Sequence, residues 1–333
     1  MKGRFAIPFL AAAILALLTG ARLAAQEGTL VVVNKRADAA QIIDIASGEV
    51  LQRIPTGAGP HEVVITADGS RAVVTDYGGR GGGSTLTVIN VPARNVARKI
   101  DLGDHRRPHG VAFLAGDELI AVTSEESRHV VIVRIADGEI VSAIPTGHGG
   151  SHMLAIPTAG APIFTSNMDD ATVSELDPAA GTHERTIGVG PRPEAIGAAP
   201  DGREVWVGSN DDGTITAIHT ASGETETVAD GFGWPYRILF TADGSQVIIP
   251  DLEHEVVRFI DRETREEVGR MAFPGAGPQG VTLSADGKTL FLALSRIDEV
   301  VLIDLETRAE IRRLTTGSGP DGVAYSAEVL TGR

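Results

Sequence analysis

Apolar residues in this chain fall in short runs that end at polar turns. Leu30-Val31-Val32-Val33, Gln41-Ile42-Ile43-Asp44 and Val300-Val301-Leu302-Ile303-Asp304 are typical. No stretch beyond the first 25 residues sustains a helical spacing, so the pattern predicts strands throughout. One unit shows the grammar clearly. Gly280-Val281-Thr282-Leu283 is a short strand, Asp286-Gly287 turns it, and Thr289-Leu290-Phe291-Leu292-Ala293 returns. Val300 to Asp304 and Ile311-Arg312-Arg313-Leu314 follow, which makes four strands. Asp-Gly pairs recur at Asp68-Gly69, Asp201-Gly202 and Asp243-Gly244, as tight turns between strands require residues that accept positive φ.

The unit repeats. A phrase close to Gly-x-Gly-Pro-x-Gly-Val places its proline at Pro60, Pro108, Pro193, Pro235, Pro278 and Pro320, and Ser151 fills the one missing slot. Successive spacings of 48, 43, 42, 42, 43 and 42 residues suit four-stranded units. Seven such units predict an all-β, seven-bladed β-propeller with antiparallel blades. After Pro320 enough chain remains for one innermost strand, while Leu30 to Asp44 arrives without one. The two termini are therefore expected to share the seventh blade, which removes open sheet edges. Residues 26–333 form this single domain.

Gly59-Pro60-His61-Glu62-Val63, Ala67-Asp68-Gly69 and Val301-Leu302-Ile303-Asp304 resemble the YVTN-type repeats of secreted seven-bladed propellers, the group that includes YncE-like proteins. The resemblance spans essentially the whole chain after the leader. It implies the fold and leaves the activity open, because this architecture hosts lactonases, lyases, redox subunits and plain binding modules.

Residues 1–25 follow other rules. Lys2 and Arg4 precede an apolar stretch from Phe5 to Leu18, and Thr19 to Ala25 offers a small-residue exit. This reads as a secretory signal peptide cut near Ala25, so the mature protein is expected in the periplasm or outside the cell, with no transmembrane segment. The chain has no cysteine, hence no disulfide, thiolate ligand or thiol nucleophile. Its formal charge is −15, and loss of Lys2, Arg4 and Arg22 with the leader makes it −18, a field that disfavours nucleic acid.

Function is sought where the repeats differ. The position after the repeat proline reads His61, His109, His152, Glu194, Tyr236, Gln279 and Asp321 around the ring. Blade rotation should bring these side chains together at one mouth of the central channel. Three histidines on consecutive blades have the composition of a divalent-metal site, with Zn or Cu the expected cofactor, although a hydrated polar mouth needs none. Glu194 and Asp321 are the candidate catalytic carboxylates. The only aromatic cluster, around Trp234, Tyr236 and Arg237, suggests a substrate wall and an anion contact. A second ring at the end of the second strands reads Asn34, Asp76, Ser124, Asn167, Asn210, Asp251 and Ser295. Of these, Asp76, Asn167 and Asn210 join Gln279 as candidate ligand contacts, although such residues also cap strands and turns. Gly78 to Gly83 is glycine-rich, but no helix or Lys-Ser/Thr follows to make a phosphate cradle. The expected function is small-molecule binding at the histidine-rich mouth, with metal-dependent hydrolase or lyase (lactonase-like) chemistry. The alternative is a non-catalytic scaffold of the cell envelope that binds a protein partner.

Overall fold

The computed structural model describes residues 26–158 and 160–330; the leader, residues 1–25, lies outside them. Among the described residues the chain forms seven four-stranded antiparallel sheets. The first blade comprises Pro60–Ile65, Arg71–Asp76, Thr85–Asn90 and Asn95–Asp101, innermost strand first, and five more repeat that order along the chain. The seventh takes its innermost strand, Pro320–Ser326, from the C-terminus and its other three, Thr29–Asn34, Ala39–Asp44 and Val50–Pro55, from the N-terminus. Leu30 lies opposite Tyr325 and Val32 opposite Val323, so the ring closes as the repeat pattern required.

The core is divided as the blades are. Seven buried apolar clusters each join two neighbouring blades; Val73, Leu86, Val122 and Val131, for example, lie between the first and second. Second and third strands are buried on both faces, which explains their continuous Val/Ile/Leu runs, whereas the outermost strands alternate. The Asp-Gly turns form with Gly287 at φ +68°, and at Asp68, Asp243 and Asp286 a Ser or Thr two residues earlier ties the aspartate down, as in Ser284 to Asp286 at 2.6 Å. The glycine two residues after the proline has a different cause. A Cβ on Gly280 would stand 2.0 Å from the Asp321 carbonyl oxygen, and one on Gly322 would stand 2.7 Å from that of His61. At Gly110, Gly280 and Gly322 the innermost strands of adjacent blades thus approach too closely for a Cβ, whereas Glu62, Met153, Ala195 and Arg237 hold the same position in the other blades.

The irregularity beside that glycine positions the site. In six of the seven blades the pairing of the innermost strand shifts between the first position and the residue three beyond it: Pro60/Val63, Pro108/Val111, Ser151/Leu154, Pro193/Ile196, Pro278/Val281 and Pro320/Val323. Blade five loses more of the ladder, keeping a bridge from Pro235 to Asp251 and the pair Leu239–Phe240. Such bulges re-aim side chains. Here they turn the residue after the proline toward the channel mouth.

Closure by the C-terminal strand carries the first prediction. Removing residues 318–333 strips the inner partner from Thr29–Asn34 and takes Val323 and Tyr325 from the cluster they share with Leu30, Val32 and Phe291. Two lost core side chains and an opened ring should lower the melting temperature by roughly 10 °C or more. A truncated protein melting within a few degrees of the parent would show that closure contributes little.

Candidate functional site

Three histidines meet at the mouth. His61 and His109 rings are 4.8 Å apart between centroids and 64° apart in plane; His109 and His152 lie at 3.7 Å and 31°. Tyr77, from the loop after the second strand of blade one, packs against His61 at 4.3 Å. Their surroundings divide the protons unequally. His61 donates from Nδ1 to the Gly59 carbonyl at 2.7 Å, and burial lowers its pKa to about 4 despite the attraction of Asp321. His109 is 2% exposed, and burial with its two histidine neighbours pushes it well below the ordinary value.

His152 goes the other way. Burial opposes its charge, but its Nδ1–H donates to Glu125 and Glu194 stands 3.6 Å from its Nε2, which together raise it to about 9. The imidazolium is therefore stacked on a neutral imidazole and flanked by two carboxylates. Both carboxylates are held in place. Glu125 also accepts from the Tyr77 hydroxyl at 2.7 Å, and that oxygen accepts from Arg107 at 3.1 Å. Glu194 accepts at Oε2 from the Trp234 indole N–H at 2.9 Å and from Asn210 at 2.6 Å. Glu194 is buried, which opposes ionisation, yet the His152 contact keeps its pKa below the usual carboxylate value.

This cluster opens into a cleft of about 720 Å³. Its walls include Glu126, Asp169, Asp211, Arg107, Arg192 and Trp234, with the Arg192 guanidinium 5.6 Å from the Trp234 ring. Carboxylates outnumber cations around the opening.

The remaining expected residues separate by depth. Tyr236 is turned into the channel, donating from its hydroxyl to Asp321 at 3.0 Å, and burial raises its pKa well above 10. Asp321 is fully buried and pairs with Lys35 at 3.6 Å, so it does not reach the cleft. Arg237 points toward the opposite end and pairs with Glu62 across the channel. Trp234, Tyr236 and Arg237 therefore serve three places rather than one wall. Gln279 is half-buried in the innermost strand of blade six. Second-ring residues act mostly as staples. Asp76 accepts from the Gly57 amide and from Thr85 and Thr87, and Asn167 bonds Ser151, Thr172 and Ser174. Asn210 is the member that touches the cluster. Glu125, Tyr77 and Glu62 carry more of the site than their sequence positions suggested, because each is defined by what stands across the channel.

The histidines converge. The His109 and His152 rings are tilted 31° from one another, and His109 Nδ1 and His152 Nε2 are buried without a hydrogen-bond partner. His152 also directs both nitrogens at carboxylates. Among the described residues no group of three or more His, Asp or Glu is arranged to hold a metal.

Seven four-stranded blades with a shared closing blade, around a channel whose mouth carries histidines and carboxylates, define a seven-bladed β-propeller. The chain belongs to the YNCE-like beta-propeller family, whose model matches residues 130–328. No curated protein matches the sequence. Among solved structures it is similar to Kuenenia stuttgartiensis hydrazine synthase, at 18% identity and TM-score 0.70, covering 81% of this chain and 90% of that one. A functionally unknown protein from Desulfotomaculum acetoxidans has 18% identity and TM-score 0.75, with 90% and 98% covered. The dihydro-heme d1 dehydrogenase NirN has 15% identity and TM-score 0.64, with 91% and 76% covered. At these identities the likeness is one of fold.

The unequal histidines make a pH prediction. His152 is raised in the folded state from 6.5 to about 9, so its contribution to stability is full below about pH 6.5 and is lost as pH rises through about 9. His61 and His109 are lowered, so theirs is lost as pH falls below 6.5. Ring ¹⁵N NMR at pH 7.5 should show one protonated imidazole, assigned to His152, beside two neutral ones. His152→Gln should flatten the stability change between pH 6.5 and 9. Three rings titrating together near 6.5 would contradict this electrostatic structure.

Proposed function

We propose that the cleft binds a small polar ligand rich in hydroxyl or amino donors, and that Glu125, His152 and Glu194 form its proton-transfer centre, in the hydrolase or lyase class. The observation that supports this most is the charged imidazole held between two fixed carboxylates beside the cleft. An excess of carboxylates favours donors over anions, and Trp234 offers a flat face for stacking. In this reading Glu194 is the residue that meets the ligand. Trp234 and Asn210 both occupy its Oε2, which leaves Oε1, next to His152, to accept a proton. His152 stabilises the carboxylate and shares the proton, while Tyr77 and Arg107 orient Glu125.

Calorimetry with a panel of small polyols, amines and lactones, alongside Zn²⁺, tests it. Glu194→Gln should weaken the best organic ligand at least tenfold and abolish any turnover, and Trp234→Ala should weaken binding to a similar degree. Binding that ignores both changes would overturn the cleft as the site. Near-stoichiometric Zn²⁺ binding at pH 7.5 that His109→Ala abolishes would replace this reading with the metal-centred one.

We further propose that the protein works outside the cytoplasm. The supporting sequence feature is the leader of residues 1–25. In a Gram-negative host the mature protein should be recovered from the periplasm with its N-terminus at or near Gln26. Membrane-retained chains beginning at Met1 would refute export with cleavage.

A further inference from the structure

Blade two carries a second pair of histidines on the same face as the cleft. His105 stands in the loop between the outermost strand of blade one, Asn95–Asp101, and the innermost strand of blade two, Pro108–Phe113, while His129 opens the third strand of that blade, His129–Arg134. Both are half-buried, and neither lines the cleft. Their ring centroids are 5.2 Å apart, with the planes at 64°.

One residue fixes both rings. His129 Nδ1 lies 2.6 Å from the Ser127 carbonyl oxygen, which can only accept, so that nitrogen carries a proton. His105 Nδ1 lies 2.9 Å from the Ser127 hydroxyl. That hydroxyl donates to the Ser124 hydroxyl at 2.8 Å, and Ser124 in turn donates to the Arg106 carbonyl at 2.7 Å. With both hydroxyl protons committed, Ser127 Oγ must accept from His105, whose Nδ1 is therefore protonated as well. Each ring, when neutral, keeps its lone pair on Nε2. Neither Nε2 has a hydrogen-bond partner among the described residues, and both reach solvent.

Imidazoles that hold metal ions are commonly oriented in this way, by donating the other ring N–H to a fixed acceptor. Two of them bound through Nε2 at about 2.0–2.1 Å, with bond angles of roughly 90–110°, have centroids about 4.5–5.3 Å apart. The His105–His129 separation falls in that span. Asp104 adds a negative charge beside His105. His148 and His183 supply the contrast, since their rings are 6.2 Å apart and the Thr186 hydroxyl engages both Nε2 atoms, at 3.0 and 3.2 Å.

We propose that His105 and His129 form a two-imidazole site for one divalent transition-metal ion, Cu²⁺ foremost, separate from the histidine mouth and completed by water. Nitrogen ligands with open positions favour Cu²⁺ over the other divalent first-row ions. Bound there, the ion ties the loop that carries Arg107 to the third strand of blade two.

Titration of the untagged protein with Cu²⁺ at pH 7.5, followed by electron paramagnetic resonance and by competition with a chelator of known affinity, tests the assignment. The first equivalent should show nitrogen coupling from two imidazoles. His105→Ala and His129→Ala should each weaken it at least tenfold, and unchanged melting temperatures of the metal-free variants check that the fold is intact. Ser127→Ala removes the hydroxyl that holds His105 but keeps the carbonyl that holds His129, and should weaken binding about tenfold without touching either ligand. His109→Ala and His148→Ala should leave the first equivalent unchanged. A first equivalent indifferent to His105→Ala or to His129→Ala, or one that His109→Ala removes, would overturn the proposal.

Discussion

The bulge at the start of each innermost strand is the constraint on which the site depends. Ideal antiparallel pairing from the first residue would alternate side chains between the two faces of the blade. Proline there, in every blade but the one that starts at Ser151, lacks an N–H, and where Gly110, Gly280 and Gly322 stand two residues later the neighbouring backbone leaves no room for a Cβ. Between them one residue drops out of the ladder and turns to the mouth. What that residue is costs the fold little, since its backbone is already irregular and its side chain faces the channel. The slot can therefore hold histidine, glutamate, tyrosine, glutamine or aspartate in turn. Seven equivalent slots with seven independent choices are how a repeat protein builds an asymmetric site.

Charge within the mouth follows from burial acting on unequal neighbours. Three imidazoles so close cannot all be protonated, because each added charge would be desolvated beside another. The proton settles on His152, the ring that has carboxylates on both sides, and the other two remain neutral. Carboxylates on both sides of His152 favour the retained proton there.

The repeat made the fold legible almost completely. Period, Asp-Gly turns and the complementary termini each had one physical meaning, and blade count, strand order and closure all followed from them. The convergence of His61, His109, His152 and Glu194 was legible for the same reason, since rotation about one axis turns equivalent positions into neighbours. What the sequence could not carry was direction within blade five. Trp234, Tyr236 and Arg237 are neighbours in the chain, yet the broken ladder between Pro235 and Leu239 sends them to the cleft, the channel and the far end. Nor could residue type alone distinguish Asp76 and Asn167, which staple loops, from Asn210, which touches Glu194. Those roles depend on a loop amide or hydroxyl within 3 Å, and spacing does not encode that.

Blade five thereby divides the channel. With Arg237 reaching Glu62 of blade one and Tyr236 reaching Asp321 of blade seven, the axis is crossed by two polar links whose members are almost wholly buried. Replacing either partner alone would strand a charge or a hydroxyl in a dry interior, so the links are hard to lose one residue at a time. Their consequence is chemical separation. On one side of them lies a cleft in which carboxylates outnumber cations, and on the other a cavity that Glu62 and Arg237 line together with aliphatic side chains.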